Sequence, residues 1–283
     1  HYLRPLGYRV TQTGKTHINP PDVFPFENFG GGKNPDMKYI DRLFAETSKG
    51  GKPFCLFACS NEPHTPWNKG DPSVYPPGKV KLPPYIVDTP RVRSDFSKYL
   101  AEITYFDSQV GTIVDLLAKH GLSDNTLLMV VSEQGNAFPF AKWTCYDHGL
   151  QSAMLVRWPG RVKAGVVSDA MVEYVDVTPT FIDAAGGKPV AGLDGKSFLP
   201  VLSGKAKRHK DYVFGIMTTR GINNGTEAFA IRSVRDKRYK LILNLNHKSK
   251  FTNACTKMPL FRSMVAKAET GDPLAKRLVR AYH

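Results

Sequence analysis

The sequence predicts an α/β fold: a mostly parallel central sheet flanked by helices, with a small antiparallel subdomain at the C-terminal end. Three observations point there. Short apolar runs alternate with segments of helical periodicity. Two of those runs, residues 54–58 (Phe-Cys-Leu-Phe-Ala) and 127–131 (Leu-Leu-Met-Val-Val), are apolar at nearly every position, as strands covered on both faces are. Beyond Leu202 the pattern changes to basic, alternating strands.

Taken in chain order, residues 8–13 form the first strand. Asn34-Pro35 reads as an N-cap followed by proline at the first helical position, and Tyr39, Ile40, Leu43 and Phe44 repeat at helical spacing until Gly50-Gly51. The second strand, 54–58, follows. Residues 67–90 are rich in proline and lack periodicity, so a long irregular loop bordering a substrate cleft is expected. A helix over 95–120 carries one apolar stripe that includes Phe96, Tyr99, Leu100, Ile103, Phe106, Val110, Ile113 and Leu117, and it stops at Gly121. The third strand, 127–131, is expected beside the second. Residues 153–158 read as another strand, 176–185 as a helix capped by Asp176, 228–234 and 238–244 as a strand pair, and 266–283 as a helix. The domain division that follows is a core over 1–207 and a subdomain over 208–283, joined near 203–210.

At 283 residues, with 41% hydrophobic and 23% charged content, the chain has enough apolar material for a sizeable core. No apolar run is long enough to cross a bilayer, so no membrane partner is expected. The net charge of +14 favours polyanions. Zinc-finger spacing, a basic amphipathic helix and ribonucleoprotein-type aromatics are all missing, which argues against nucleic acid. Cys55, Cys59, Cys145 and Cys255 are too sparse for a disulfide scaffold and lack zinc spacing, so they read as buried thiols.

Ligands of open α/β sheets bind beyond the carboxyl ends of the strands. Gly14, Lys15 and His17 follow the first strand; Glu62, Pro63 and His64 the second; Ser132, Glu133, Gln134 and Gly135 the third, with Lys142 shortly after. Two lysines, two histidines, a carboxylate and an amide converging on one crevice suit an anionic ester held by ammonium groups beside an oxygen-ligated cation. Singly, each reads first as an ordinary solvated surface residue; together and in this order they point to a site. Glu133-Gln134 reads alternatively as a helix start, and Asp147, His148 and Arg220 read as surface side chains within reach of a substrate.

These residues resemble the type I sulfatases, enzymes of the alkaline phosphatase-like superfamily. Leu6-Gly7-Tyr8 leading to Gly14-Lys15-Thr16-His17 is similar to the second sulfatase signature, and His64-Thr65-Pro66-Trp67 to the family's His-x-Pro segment. Ser132 to Lys142 resembles its metal-and-lysine loop. Arg157-Trp158-Pro159-Gly160, Asp176-Val177-Thr178-Pro179-Thr180 and Leu193-Asp194-Gly195-Lys196-Ser197 follow in the family's order.

The resemblance implies an alkaline phosphatase-like sandwich that hydrolyses a sulfate ester or sulfamate of a sulfated carbohydrate, nearest in flavour to N-sulfoglucosamine hydrolases. By it, Lys15 contacts sulfate and nucleophile, and His17 orients the nucleophile. His64 and Lys142 grip sulfate oxygens, with His64 the proton donor, and Glu133 and Gln134 are metal ligands. Both are one methylene longer than the family's usual pair, which favours Ca²⁺ over Mg²⁺. A secreted, periplasmic or lysosomal location goes with the resemblance.

One departure stands out. The family's nucleophile is a formylglycine made within Cys/Ser-x-Pro-x-Arg, and this sequence contains no such motif and no Asp-Asp pair before Gly14. The expectation is that the nucleophile and the remaining ligands lie upstream, and that this polypeptide alone is inactive. Alternatives are a phosphodiesterase or phosphonate hydrolase of the same superfamily, or a non-catalytic binder of sulfated polysaccharide. Oligomeric state is not legible.

Overall fold

The computed structural model describes residues 2–28, 31–218 and 228–283. Arg220 and the Asn224-Gly225-Thr226 glycosylation sequon lie outside these. The fold is mixed α/β, with β1 (Arg9–Gly14), α1 (Met37–Ser48), β2 (Phe54–Cys59), α2 (Pro90–Lys119), β3 (Leu128–Val131), the one-turn α3 (Asp147–Leu150), β4 (Met154–Arg157), α4 (Val177–Ala184), α5 (Leu199–Leu202), β5 (Val213–Met217), β6 (Ile231–Arg235), β7 (Lys240–Asn244), α6 (Ala254–Lys257), α7 (Pro259–Glu269) and α8 (Pro273–Tyr282). Among the described residues no helix is long and apolar enough to cross a membrane.

Two compact units divide the chain. The first comprises His1–Asn61, Asp107–Val130 and Met154–Val213; the second comprises Glu62–Phe106, Val131–Ala153 and Phe214–His283.

In the first unit β1 and β2 pair in parallel from Arg9↔Phe54 to Gly14↔Cys59, so both strands end at the same rim. β3 pairs with β4 rather than with β2, contrary to the expectation that the second and third strands are neighbours. The β1–β2 pair follows from its connection. α1 is a crossover of a dozen residues that returns the chain directly beside β1, as a βαβ unit does, and β2 takes that place. Ile40, Leu43 and Phe44 of α1 bury against Ile113 and Leu117 at the end of α2.

Asp36, not Asn34, caps α1: its carboxylate accepts from the backbone N–H groups of Lys38 and Tyr39. Asn34 is used elsewhere, accepting from the Ser60 hydroxyl at 2.9 Å and the Asn61 N–H at 3.3 Å in the chain just past β2. Asp176 likewise caps differently from expectation. It ends a short 3₁₀ turn before α4 and makes no side-chain cap to that helix. Instead its fully buried carboxylate accepts from the N–H groups of Glu173 and Lys196 and from the Lys210 ammonium at 2.9 Å, and the His209 ring nitrogen Nε2 stands 3.2 Å away. Burial alone would raise the Asp176 pKa, but these donors outweigh it and hold the carboxyl below its ordinary value.

In the second unit α2 begins at Pro90, five residues before the expected start at Asp95. Thr89 Oγ1 accepts from Val92 N–H, and proline occupies the first helical position, where its missing N–H costs nothing. β5, β6 and β7 form a three-stranded sheet in that order, with β6 and β7 antiparallel from Ile231↔Asn244 to Arg235↔Lys240. The C-terminal segment read as one helix over 266–283 is two. Gly271 takes φ 100°, Asp272 accepts from Ala275 N–H, and Pro273 starts α8, so a stop, a cap and a start stand in succession. Phe138, Phe251, Leu260, Phe261, Met264 and Tyr282 belong to the core of this unit.

All four cysteines are free. Cys145 and Cys255 are buried, and Cys55 and Cys59 half-buried. Burial pushes the Cys55 and Cys255 thiols up to about 12 and raises Cys59 and Cys145 as well, which makes all four poor nucleophiles.

Candidate active site

In the first unit Lys15 follows β1 directly, at the rim shared with the end of β2. Its N–H donates to Cys59 O at 3.0 Å, so the strand pairing extends one bond past β1 and fixes where Lys15 emerges. The buried side chain of Gln12 donates to Lys15 O at 2.9 Å and clamps the turn from within. Gly14 has φ 88°, and a Cβ there would stand 2.0 Å from Cys59 O, so only glycine permits this close passage. His17 is exposed two residues on. Gln12 went unnoticed in the sequence; its signal was an amide within a strand otherwise fit for burial.

The other four candidates belong to the second unit. The segment carrying His64 is joined to the loop carrying Lys142 by stacking: Trp67 lies parallel to Phe138 with centroids 5.0 Å apart. Tyr99 and Phe96 meet the edge of Phe138 from α2. His64 is exposed, and its Nδ1 lies 2.6 Å from Thr65 O. A carbonyl oxygen only accepts, so Nδ1 carries a proton and Nε2 is the nitrogen left to face a ligand.

No helix starts at Glu133-Gln134; both are exposed in irregular chain just past β3, which removes the first-turn reading. The loop from Ser132 to Lys142 folds back on itself through Lys142 N–H to Asn136 O at 2.9 Å and Phe138 N–H to Asn136 Oδ1 at 3.1 Å. Lys142 is half-buried, its ammonium 5.1 Å from the centroid of the Trp143 ring. Phe140 and Trp143 both take φ 64°, a left-handed conformation costing a bulky residue on the order of 1–3 kcal/mol. Two such residues flank the Ala141-Lys142 pair, so the loop holds Lys142 in a conformation that the surrounding structure must enforce.

Glu133 and Gln134 offer two hard oxygens, whereas calcium takes roughly six to eight. Among the described residues no group of three or more His, Cys, Asp or Glu side chains could hold a metal ion. The residues present do not by themselves fit a complete cation site.

Gly135 ties this loop to α3. Its N–H donates to Gly149 O at 3.0 Å, and a Cβ on it would meet His148 O at 2.0 Å. The side chains beside α3 form a cavity of about 310 Å³ with Tyr85, Phe140, Tyr146 and Lys240. The Asp147 carboxylate accepts from Arg235 at 2.7 Å and from Lys240 at 2.9 Å. Burial would raise its pKa, but the Lys240 and Arg235 cations hold it lower than usual. The His148 ring stacks on Tyr85 with centroids 3.9 Å apart. A larger cavity, about 460 Å³, adjoins the proline-rich segment, but charged groups there already pair with one another, Arg93 with Asp88 and Lys267 with Asp272.

A family model described as Sulfatase matches residues 7–187, well over half of the chain, and one described as N-sulphoglucosamine sulphohydrolase, C-terminal, matches residues 135–255. The chain is 32% identical over 286 residues to an ulvan-active sulfatase of Formosa agariphila, an alignment taking in 96% of this chain and 55% of that protein. It is 27% identical over 316 residues to the N-sulphoglucosamine sulphohydrolase of Homo sapiens, covering 96% of this chain and 62% of the relative. The chain thus spans little more than half the length of these curated relatives. Its fold matches a solved structure described as in complex with its substrate D-glucosamine-2-N,6-O-disulfate, with a TM-score of 0.71 at 17% identity, covering 99% of this chain and 80% of that one. With the fold, the ordered motifs and a family match that takes in all six candidate residues in agreement, this chain belongs to the sulfatase family.

Proposed function

We propose that the whole protein is a hydrolase releasing inorganic sulfate from a sulfated glycan, by cleavage of a sulfate ester or a sulfamate. The observation that carries this reading is the sulfatase match over residues 7–187, which contains Lys15, His17, His64, Glu133, Gln134 and Lys142 together. The relatives named for ulvan and for N-sulphoglucosamine supply the substrate class.

Each residue has a task its chemistry suits. The ammonium groups of Lys15 and Lys142 hold sulfate oxygens, and they stabilise the charge that builds on those oxygens as the bond to sulfur breaks. Both lysines have backbones held before any ligand arrives, Lys15 by Cys59 O and Gln12 and Lys142 by Asn136 O. His64, with Nδ1–H engaged by Thr65 O, gives a proton from Nε2 to the departing oxygen or nitrogen when the ring is doubly protonated. His17 orients the nucleophile. Formylglycine, absent from the residues of this sequence, would supply that nucleophile. Glu133 and Gln134 would contribute two oxygens to a divalent cation, Ca²⁺ rather than Mg²⁺, with other ligands needed to complete it. A secreted, periplasmic or lysosomal setting accords with a glycan substrate.

The test is turnover by the full-length protein of an aryl sulfate and a bis-aryl phosphate side by side. Preferential sulfate release supports the proposal. Faster cleavage of the phosphate diester moves the protein to the phosphodiesterase reading, and heparin binding with neither turnover moves it to a polysaccharide binder.

A further inference from the structure

We propose that the cavity beside α3 binds one pyranose ring of the glycan, with Tyr146 as its stacking face and Asp147 and Lys240 as its polar edge. This rests on the sulfated-glycan reading and names a sugar subsite for it.

Four observations converge. The volume, about 310 Å³, lies at the small end of ligand cavities, with room for one ring rather than several. The wall is aromatic: Tyr146 is 43% exposed, and Tyr85 with His148 forms a stacked pair in the same lining. The apolar C–H face of a pyranose covers such rings, while its hydroxyls require donors and acceptors at the edge. Asp147 is such an acceptor, and Arg235 and Lys240 fix its orientation before a ligand arrives. Two cations against one carboxylate leave a net charge of +1, which favours an anionic ring over a neutral one.

Position and strain agree. The Gly135–Gly149 hydrogen bond sets this wall directly against the loop that bears Glu133, Gln134 and Lys142. Phe140, at φ 64°, is a cavity-lining residue as well as a member of that loop, so one strained segment serves both.

The experiment compares wild type, Tyr146→Ala and Tyr146→Phe of the full-length protein with D-glucosamine-2-N,6-O-disulfate. KM and kcat are read from sulfate release, and ring-proton contact from saturation-transfer NMR. Tyr146→Ala is expected to raise KM about tenfold and weaken the ring-proton signal, with Tyr146→Phe within about threefold of wild type. Lys240→Met, changing the polar edge instead, should move KM in the same direction. Sulfate release with KM unchanged in Tyr146→Ala overturns the subsite and leaves the hydrolase reading intact. Tyr146-dependent ring contact without sulfate release keeps the subsite and removes the hydrolase. A wild type that neither contacts the ring nor releases sulfate overturns both.

Discussion

Asp176 and Asp147 are built alike and serve different ends. Each carboxylate is held by cationic side chains and sits next to a helix start, yet Asp176 is completely buried while the Asp147 side chain keeps 41% of its exposure. Around Asp176 the acceptor sites are used by protein, two backbone N–H groups and the Lys210 ammonium, with the His209 ring beside them. Around Asp147, among the described residues, Arg235 and Lys240 are engaged in ion pairs, and the group borders a cavity. Burial therefore decides the role of an ion cluster. One with no water access ties elements together, whereas one with a free edge is left to meet a ligand.

That contrast makes ranked predictions. The largest effect belongs to Asp176→Ala, which leaves two backbone N–H groups without their acceptor and the half-buried Lys210 with Glu173 as its remaining ion-pair partner; a loss of about 3 kcal/mol in denaturant unfolding is expected. A loss below about 1 kcal/mol would break the distinction. Because the folded pKa of Asp176 is depressed, its contribution is full above the unfolded value and fades as pH falls through the folded one. Acid unfolding should accordingly be steeper in wild type than in Asp176→Asn.

A smaller effect of opposite sign is expected at Glu102, a buried carboxyl of α2. Its Oε1 accepts from the N–H groups of Asn68 and Lys69, while Oε2 has no hydrogen-bond partner among the described residues. Burial, the dominant cause, raises its pKa, so its stabilising proton is fully held below the unfolded value and is lost as pH rises through the folded one. Glu102→Gln keeps the acceptor without the charge and should gain about 1 kcal/mol at neutral pH, with little gain in acid. Equal stability changes at both pH values would contradict the assignment.

The smallest stability change falls to Asp147→Asn. With a large exposed fraction, its ion pairs should be worth less than about 1 kcal/mol to folding. A melting curve near that of wild type sharpens the contrast with Asp176, while a collapse of the fold would erase it.

Much of the fold was legible. β1, β2, β3 and α1 fall within a few residues of their expected bounds because apolar runs and helical periodicity are local signals. Strand neighbours were not legible: nothing in residues 127–131 says whether β2 or β4 lies beside them, since pairing depends on distant chain. Caps were misread where several candidates were adjacent. Asn34-Pro35 looks like a helix start, but Asn34 is needed at the end of β2 and Asp36 takes the cap.

The candidate site was legible as residue types after strands, and its supports were not. Gln12 under Lys15 and the Trp67–Phe138 stack become visible only in three dimensions. The cavity was hidden for the same reason, as Tyr85, Tyr146 and Lys240 come from three separate stretches of chain.

Whether the loop after β3 has the assigned chemical purpose is most directly read from sulfate release by the full-length protein with Lys142→Ala. The account requires kcat/KM for D-glucosamine-2-N,6-O-disulfate to fall by about a hundredfold or more with the melting temperature preserved. A folded Lys142→Ala protein that releases sulfate at the wild-type rate would contradict it.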